Sequence, residues 1–242
     1  MPKTPEIYGR AAPSPVVSQG QIPSPRRLQR PRMQHQLLPL LTAIASLATG
    51  MKLVTHYRRR APTLYVTFDD GPHPQETPHL LEALDRLDIK ATFFIVGQAA
   101  ERHPNLAKSI ASAGHELANH SMSHPWFNRL SMRKHLKEID SADKLLESFD
   151  GRPRHPFRPP HGKLTVFSLA ACMFRSQKLV LWHHDSLDYR HTADEVVAYL
   201  RSRKIKNGDI LLFHDDGSVA REALSQLVPE WKAAGFGFST IT

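Results

Sequence analysis

The chain has 242 residues, of which 40% are apolar, and a formal net charge of +9. This length allows one domain of ordinary size with extensions, and the apolar fraction is enough for a real core. The single cysteine, Cys172, excludes a disulfide within the chain and says little about the redox compartment.

The net positive charge comes entirely from the first 60 residues. They hold ten Lys and Arg residues and one acid, Glu6, whereas residues 61–242 hold 22 basic and 22 acidic residues. We find no basic groove with interleaved aromatic residues of the kind that nucleic-acid binding needs. The sequence therefore predicts no nucleic-acid partner.

Residues 1–60 are predicted to be a basic, Pro-rich N-terminal extension, and residues 61–242 a folded domain. The extension contains an uncharged run, 37–51, that continues as an apolar segment to residue 54. Its 15 residues fall short of the roughly 20 that a membrane span needs. An anchor, a cleaved signal and a helix packed on the domain stay open. Membrane association would imply a cell-envelope location, anchored or exported, and the cytoplasm stays open too.

From Ala61 onward, strand-like runs alternate with helix-like stretches. The predicted strands are residues 64–68, 91–96, 115–118, 155–158, 179–182, 209–213 and 236–241. The predicted helices are residues 77–87, 98–113, 131–147, 163–175, 192–205 and 218–234. This alternation predicts an α/β fold with about seven parallel strands in a barrel-like arrangement.

Polar side chains follow five of these strands. They are Asp69 and Asp70, His120 and His124, Arg158, Asp185 and Asp188, and His214. In barrels of this kind the active site forms at the carboxyl ends of the strands. We therefore expect these side chains to meet at one rim.

The stretch "NHSMSH" places His120 and His124 four residues apart. Two imidazoles and one carboxylate make a three-ligand set with an open position, typical of a catalytic zinc site. Adjacent carboxylates such as Asp69 and Asp70 raise each other's pKa, and a divalent cation offsets that cost. If Asp70 is a ligand, Asp69 can act as a base. The alternative that one aspartate only caps the Gly-Pro turn stays open.

Five motifs in order carry a resemblance to a known family. They are "TFDDG" (67–71), "HSMSH" (120–124), "RPPHG" (158–162), "DSLDY" (185–189) and "LFH" (212–214). Over residues 63–242 the chain resembles the NodB-homology polysaccharide deacetylases, carbohydrate esterase family 4. The resemblance implies a distorted (β/α) barrel that removes acetyl groups from N-acetylated sugars.

The resemblance also implies roles for four residues in catalysis. Asp69 looks like the catalytic base and His214 like the general acid. Arg158 would hold Asp69 in place, and Asp188 would pair with His214 and tune it. A carboxylate and an imidazole would thus divide the base and acid roles.

Further positions match the family's metal and substrate residues. Asp70, His120 and His124 look like ligands of a divalent metal, most often zinc. Leu212 would line the pocket for the acetyl methyl group, and the backbone N–H of His161 would be the oxyanion donor.

Two positions depart from the family pattern. His161 stands where the family most often has Tyr, and Tyr189 replaces the usual Trp. Both changes leave the predicted acetyl-hydrolysis residues in place. They put the sugar specificity in doubt, because both side chains are expected to contact substrate.

Three functions stay open from the sequence. The first is a metal-dependent amide hydrolase that deacetylates an N-acetylglucosamine polymer, such as peptidoglycan, chitin or an exopolysaccharide. The second is a deacylase of a lipid-linked sugar or small amide, and the third is a non-catalytic carbohydrate-binding domain. Retention of Asp69, Asp70, both motif histidines and His214 argues against the third.

Overall fold

The computed structural model describes residues 61–242 and, as backbone, residues 53–54. The predicted boundary after residue 60, and the predictions about most of the apolar segment 37–54, therefore lie outside the described residues. Within the part of the chain that is described, no helix combines the length and the apolar character that crossing a membrane requires.

Among the described residues, eight short strands form the centre of the fold. They are β1 (Leu53–Val54), β2 (Thr63–Asp69), β3 (Thr92–Ile95), β4 (Glu116–Asn119), β5 (Leu179–Val180), β6 (His184–Asp185), β7 (Ile210–His214) and β8 (Gly237–Phe238). All of the strand pairs are parallel, as the alternating pattern predicted.

The strands follow one curved path. A main sheet has the order β4-β3-β2-β7-β6, with β8 paired to the start of β2. Phe157 bridges Asn119 at the end of β4 to Leu179 of β5, which pairs in turn with β1. Among residues 53–54 and 61–242, no pairing joins β6 to the β1–β5 end. The result is an α/β barrel of parallel strands that stays open on one side.

Within residues 61–242, seven α-helices pack around the strands. They are α1 (Glu76–Arg86), α2 (Gly97–Arg102), α3 (Pro104–Ser112), α4 (Met132–Asp150), α5 (Val166–Phe174), α6 (Ala193–Arg201) and α7 (Ser218–Ala233). Their apolar faces bury the sides of the strands, and the largest core cluster joins β2, β3 and β7 to α1, α6 and α7. Burial of this apolar surface is the main stabilising contribution.

The structure differs from several of the predicted elements. Strands β1 and β6 were not predicted, and predicted strand 179–182 pairs only at Leu179–Val180. Predicted strand 155–158 is reduced to a bridge at Phe157, because Pro156 and Pro159 cannot donate to a ladder. Predicted helix 98–113 is two helices that meet at His103, before Pro104. Predicted strand 236–241 pairs only at Gly237–Phe238.

Candidate active site

The carboxyl ends of β2, β4 and β7 bring three predicted motifs together. Asp69 ends β2 and is the register partner of His214, which ends β7. His120 directly follows β4, and its Nε2 lies 3.6 Å from Asp69 Oδ2. The parallel register therefore places the predicted base, acid and first metal ligand at one edge of the sheet.

Asp70, His120 and His124 offer ligand atoms that all lie within 4.8 Å of one another. Asp70 Oδ1 is 3.5 Å from His120 Nε2 and 3.1 Å from His124 Nε2. That oxygen is buried and accepts no hydrogen bond, which leaves its lone pairs for another partner. Two imidazoles and one carboxylate in this arrangement fit a divalent cation.

His120 is held in the form that a metal ligand needs. Its Nδ1 donates to the backbone carbonyl of Arg158 at 2.8 Å, so Nε2 carries the lone pair that faces Asp70. Burial lowers the pKa of His120 to about 3, although Asp70 opposes that change. The ring is therefore neutral near pH 7.

His124, the second predicted ligand histidine, lies on a loop rather than on a helical turn. The backbone φ is +71° at Ser121 and +52° at His124, a region that non-glycine residues rarely adopt. Asp70 has φ +76°. The spacing of four residues thus brings the two imidazoles together through a bent loop, the alternative that Pro125 favoured over a continuous helix.

Asp69 and Arg158 form a buried pair. Arg158 Nη1 donates to Asp69 Oδ1 at 2.6 Å and to Thr67 Oγ1 at 2.9 Å. Burial raises the pKa of the Asp69 carboxyl, and the Arg158 guanidinium opposes that rise. The other Asp69 oxygen faces His120, so the carboxylate is fixed with one oxygen toward the metal ligands.

His214 is bound twice by Asp188. Its Nδ1 donates to Asp188 Oδ1 at 2.8 Å, and its backbone N–H donates to Oδ2 at 2.7 Å. Burial lowers the pKa of His214, but the bond and charge of Asp188, with Asp69 and Asp70, raise it to about 9. The imidazolium is therefore favoured near neutral pH, with Nε2 left for another partner.

The predicted substrate residues lie at the edge of this cluster. Leu212 is buried on β7, opposite Thr67. Tyr189 is half exposed, packs edge-on against His214 with centroids 5.1 Å apart, and donates its hydroxyl to Asp185. His161 has φ +56° and contacts His124 at 4.5 Å between centroids.

Three aromatic residues beside the site were missed by the sequence reasoning. The Arg158 guanidinium lies 3.9 Å from the Phe94 ring centroid and 5.4 Å from that of Trp182. Trp126 stacks on His161. None of the three belongs to the quoted motif stretches, and their positions depend on packing between distant segments.

Helix α4 is hydrogen-bonded to the loop that carries His120 and His124. Glu138 accepts hydrogen bonds from the backbone N–H and the hydroxyl of Ser123, at 2.8 and 2.9 Å. Asp143 accepts from the Asn119 amide at 2.8 Å, and Asn119 accepts from the backbone N–H of Ser121 at 2.8 Å. The carboxylates of Glu138 and Asp143 therefore fix the loop on both sides of Ser121, whose φ is positive.

A second buried carboxyl, that of Asp215, follows His214 in the chain. Asp215 accepts a hydrogen bond from the Thr77 hydroxyl at 2.8 Å, and its other oxygen accepts none. Burial raises the pKa of Asp215 to about 7. A side chain at Gly71 would collide with this carboxyl, so the turn after the paired aspartates requires glycine.

Comparison with known sequences finds one family model, described as polysaccharide deacetylase, that matches residues 56–172. A peptidoglycan-N-acetylglucosamine deacetylase of Bacillus cereus is 35% identical over 182 residues, covering 73% of this chain and 85% of the relative. A chitooligosaccharide deacetylase of Bradyrhizobium is 32% identical over 191 residues, covering 72% and 86%.

Solved structures share the fold. A crystal structure of a peptidoglycan N-acetylglucosamine deacetylase superposes with a TM-score of 0.76 at 27% identity, covering 83% of this chain and 95% of that one. A pseudoenzyme of carbohydrate esterase family 4 from Bacillus anthracis gives 0.72 at 25% identity, covering 78% of this chain and 66% of that one. The fold is thus shared by active and inactive proteins, and the site residues must decide between them.

Proposed function

We propose that this chain, which belongs to the polysaccharide deacetylase family, removes N-acetyl groups from N-acetylglucosamine units of a polysaccharide with the help of a divalent metal. The observation that carries the proposal is the convergence of Asp70, His120 and His124 beside Asp69 and His214. The matched deacetylases of peptidoglycan and chitooligosaccharide support this class of substrate.

Zinc is the metal that we propose for the ligand set. Two neutral imidazoles and one carboxylate are ligands that zinc accepts, and three protein ligands leave a position open for catalysis. A cation held there supplies Lewis acidity, which polarises a carbonyl group and lowers the pKa of water. Asp70, His120 and His124 would hold it.

Asp69 is assigned as the general base. Its carboxylate takes a proton from the attacking water, while Arg158 keeps the carboxylate from turning away. Arg158 is itself fully buried and is fixed by Thr67 and by the Phe94 ring. The base therefore keeps one orientation and loses little entropy when the substrate binds.

His214 is assigned as the general acid. Its imidazolium donates a proton from Nε2 to the amine nitrogen as the carbon–nitrogen bond breaks, which yields acetate and a free amine. Asp188 keeps the Nδ1 proton in place and favours the charged ring. Turnover requires a protonated His214 and an ionised Asp69 at the same pH, and Asp188 favours the first of these states.

The remaining assigned residues bind the acetyl group and the sugar. The backbone N–H of His161 would donate to the oxygen that becomes negative, a contribution worth about 3 to 4 kcal/mol in related sites. Leu212 would contact the acetyl methyl group, and Tyr189 would line the sugar beside His214. These roles concern orientation rather than bond breaking.

Acetate release tests the proposal. We expect wild-type protein with zinc to release acetate from a pentamer of N-acetylglucosamine or from peptidoglycan. Chelation should abolish the release, and added zinc should restore it. His124→Ala should lose bound metal and reduce the rate by about a hundredfold or more. His191→Ala, which removes an exposed histidine beside Glu195, is the matched control and should retain both.

The outcomes separate the competing functions. Full activity in metal-free protein would overturn the metal dependence. Release from lipid-linked or small amides but not from polymers would favour the second candidate. Metal binding without release from any substrate would favour a non-catalytic carbohydrate-binding domain, the class to which the matched pseudoenzyme points.

A further inference from the structure

We propose that Trp126 and His161 form a stacking platform for a second sugar ring of the glycan, next to the unit that loses its acetyl group. The platform rests on the deacetylase function proposed above. It makes the substrate an oligomer or polymer of N-acetylated sugars rather than a single sugar, because the second ring has its own binding surface.

The two rings lie face to face beside the metal ligands. Their centroids are 3.9 Å apart and their planes are 17° apart. The edge of His161 contacts the His124 ring at 4.5 Å between centroids, and His124 is a member of the ligand set. A sugar on the platform would therefore be a near neighbour of the reacting unit.

Trp126 is open to a ligand. Its surface is 45% exposed, whereas Trp231 is 7% exposed and Trp182 is partly buried against a core cluster. An exposed indole beside a polar site keeps apolar area in water that a ligand can cover. The other tryptophans of the fold are buried or partly buried, so the exposure of Trp126 is consistent with a role in binding a ligand.

The chemistry of the pair fits a sugar ring. A pyranose carries C–H groups on its faces and hydroxyls around its rim, so a flat aromatic ring can pack on the face by dispersion. The nitrogens of His161 lie at the edge of the stack and can bond hydroxyls. Arg129, whose guanidinium lies 5.9 Å from the Trp126 centroid, adds further donors.

The pair also gives a structural account of the departure at position 161. Imidazole is smaller than the phenol ring that the resemblance led us to expect, and it offers less apolar area. The Trp126 indole stacks on that imidazole and supplies the larger apolar ring, so that a sugar would pack on the outer face of the stack. The two residues come from separate loops, one after His124 and one after Arg158, and they meet only in the folded chain.

Kinetics on two substrates test the platform. We expect Trp126→Ala to lower the preference for a pentamer of N-acetylglucosamine over the monomer, measured as the ratio of the two kcat/KM values, by about tenfold. The loss should appear mainly as a higher KM for the pentamer. Trp126→Phe, which keeps a flat ring, should recover part of it. Phe174→Ala removes a surface aromatic that is 83% exposed and should keep the wild-type ratio.

The outcomes keep the platform and the proposed function apart. An unchanged ratio in Trp126→Ala, or an equal loss on monomer and pentamer, would overturn the platform while the deacetylase function stands. If wild-type protein releases no acetate, the function fails, and calorimetric binding of the pentamer to the metal-loaded protein decides the platform: weaker binding by Trp126→Ala supports it, equal or absent binding overturns it. Should Trp126→Ala fail to fold, Trp126→Leu tests the same loss of a flat face.

Discussion

In the proposed mechanism, the contact between His214 and Asp188 sets the pH range in which His214 can act as the acid. His214 is largely buried, and burial alone would lower its pKa and leave it neutral. The Nδ1 hydrogen bond to Asp188 and the charge of Asp188, with the charges of Asp69 and Asp70, reverse that direction and raise the pKa to about 9. A cation held by Asp70, His120 and His124 would offset part of the rise in the His214 pKa that Asp69 and Asp70 cause. Asp188 would then be the main group that keeps this pKa high.

Asp188→Asn should therefore move the alkaline limb of the pH–rate profile. The acid works only when protonated, so the rate falls as pH rises through the pKa of His214. Removing the Asp188 charge lowers that pKa, and we expect the limb to move to lower pH by about one unit or more, with a lower maximal rate. Acetate release measured from pH 5 to 10 gives the limb, with metal content measured in parallel.

Tyr189→Phe is the matched control for this variant. It keeps the ring against His214 and removes only the hydroxyl that bonds Asp185, so its alkaline limb should stay in place. An unmoved limb in Asp188→Asn, with metal retained, would show that the limb reports a group other than His214.

Residues within motifs could be predicted from the sequence, and residues outside them could not. Asp70, His120 and His124 were predicted as one set, and the structure brings their ligand atoms together. The roles that the resemblance implies for them stay predictions. Trp126 could not be found, because a lone tryptophan in a loop gives no sign of the ring that it will stack on.

Helix α4 illustrates a function that an element carries as a whole. It spans Met132–Asp150, and Glu138 and Asp143 lie on the side that faces the histidine loop. The loop contains backbone with positive φ at Ser121 and His124, which costs free energy unless its surroundings hold it. The two carboxylates supply that support through hydrogen bonds to Ser123 and Asn119.

Glu138→Ala should weaken metal binding without removing a ligand. Ser123 would lose both of its bonds to the helix, and His124 would be less well fixed. Groups that orient metal ligands typically contribute about 10- to 100-fold in affinity, so we expect a loss of about tenfold. Zinc affinity measured by competition with a chelator checks this, and excess zinc should restore the rate of acetate release.

Asp140→Ala serves as the comparison on the same helix. Asp140 accepts two hydrogen bonds from Arg175 at 2.8 and 2.5 Å, but it does not contact the loop. The two variants remove a carboxylate of similar helical context, and only Glu138→Ala should change zinc affinity. Equal zinc affinities in both variants would mean that the helix supports the fold but not the site.

Continuous apolar strands were predicted well, and short polar ones were missed. β2, β3 and β7 are buried runs of β-branched and aromatic residues, so composition and length indicate them. β6 consists of His184 and Asp185, and such a pair looks like a loop until its pairing with β7 is known. The contact of Glu138 with Ser123 was not predicted either, because charged helix positions normally face water.

At the scale of the molecule, the alternation of strands and helices predicted the fold class, and the motifs predicted one site. The order β4-β3-β2-β7-β6 could not be read from periodicity, because pairing between distant segments does not depend on local pattern. The alternation predicted a barrel-like arrangement, and the resemblance to a known family made it a distorted (β/α) barrel. The predicted boundary after residue 60 rests only on charge and composition, and it stays a prediction.

The strand β1 refines where the catalytic part of the chain begins. Leu53–Val54 pairs with β5, although the sequence assigned residues 53–54 to the extension. A chain that starts at residue 53 keeps every motif and that pairing, so acetate release should stay within about twofold of wild type. A chain that starts at residue 61 also keeps the motifs but exposes the edge of β5, and its melting temperature should fall by a few degrees.

Both truncated chains are compared with the full chain by acetate release, thermal unfolding and recovery in the membrane fraction. A large loss of activity in the first truncation would show that residues 1–52 take part in the chemistry, and unchanged membrane recovery would remove the anchor hypothesis alone.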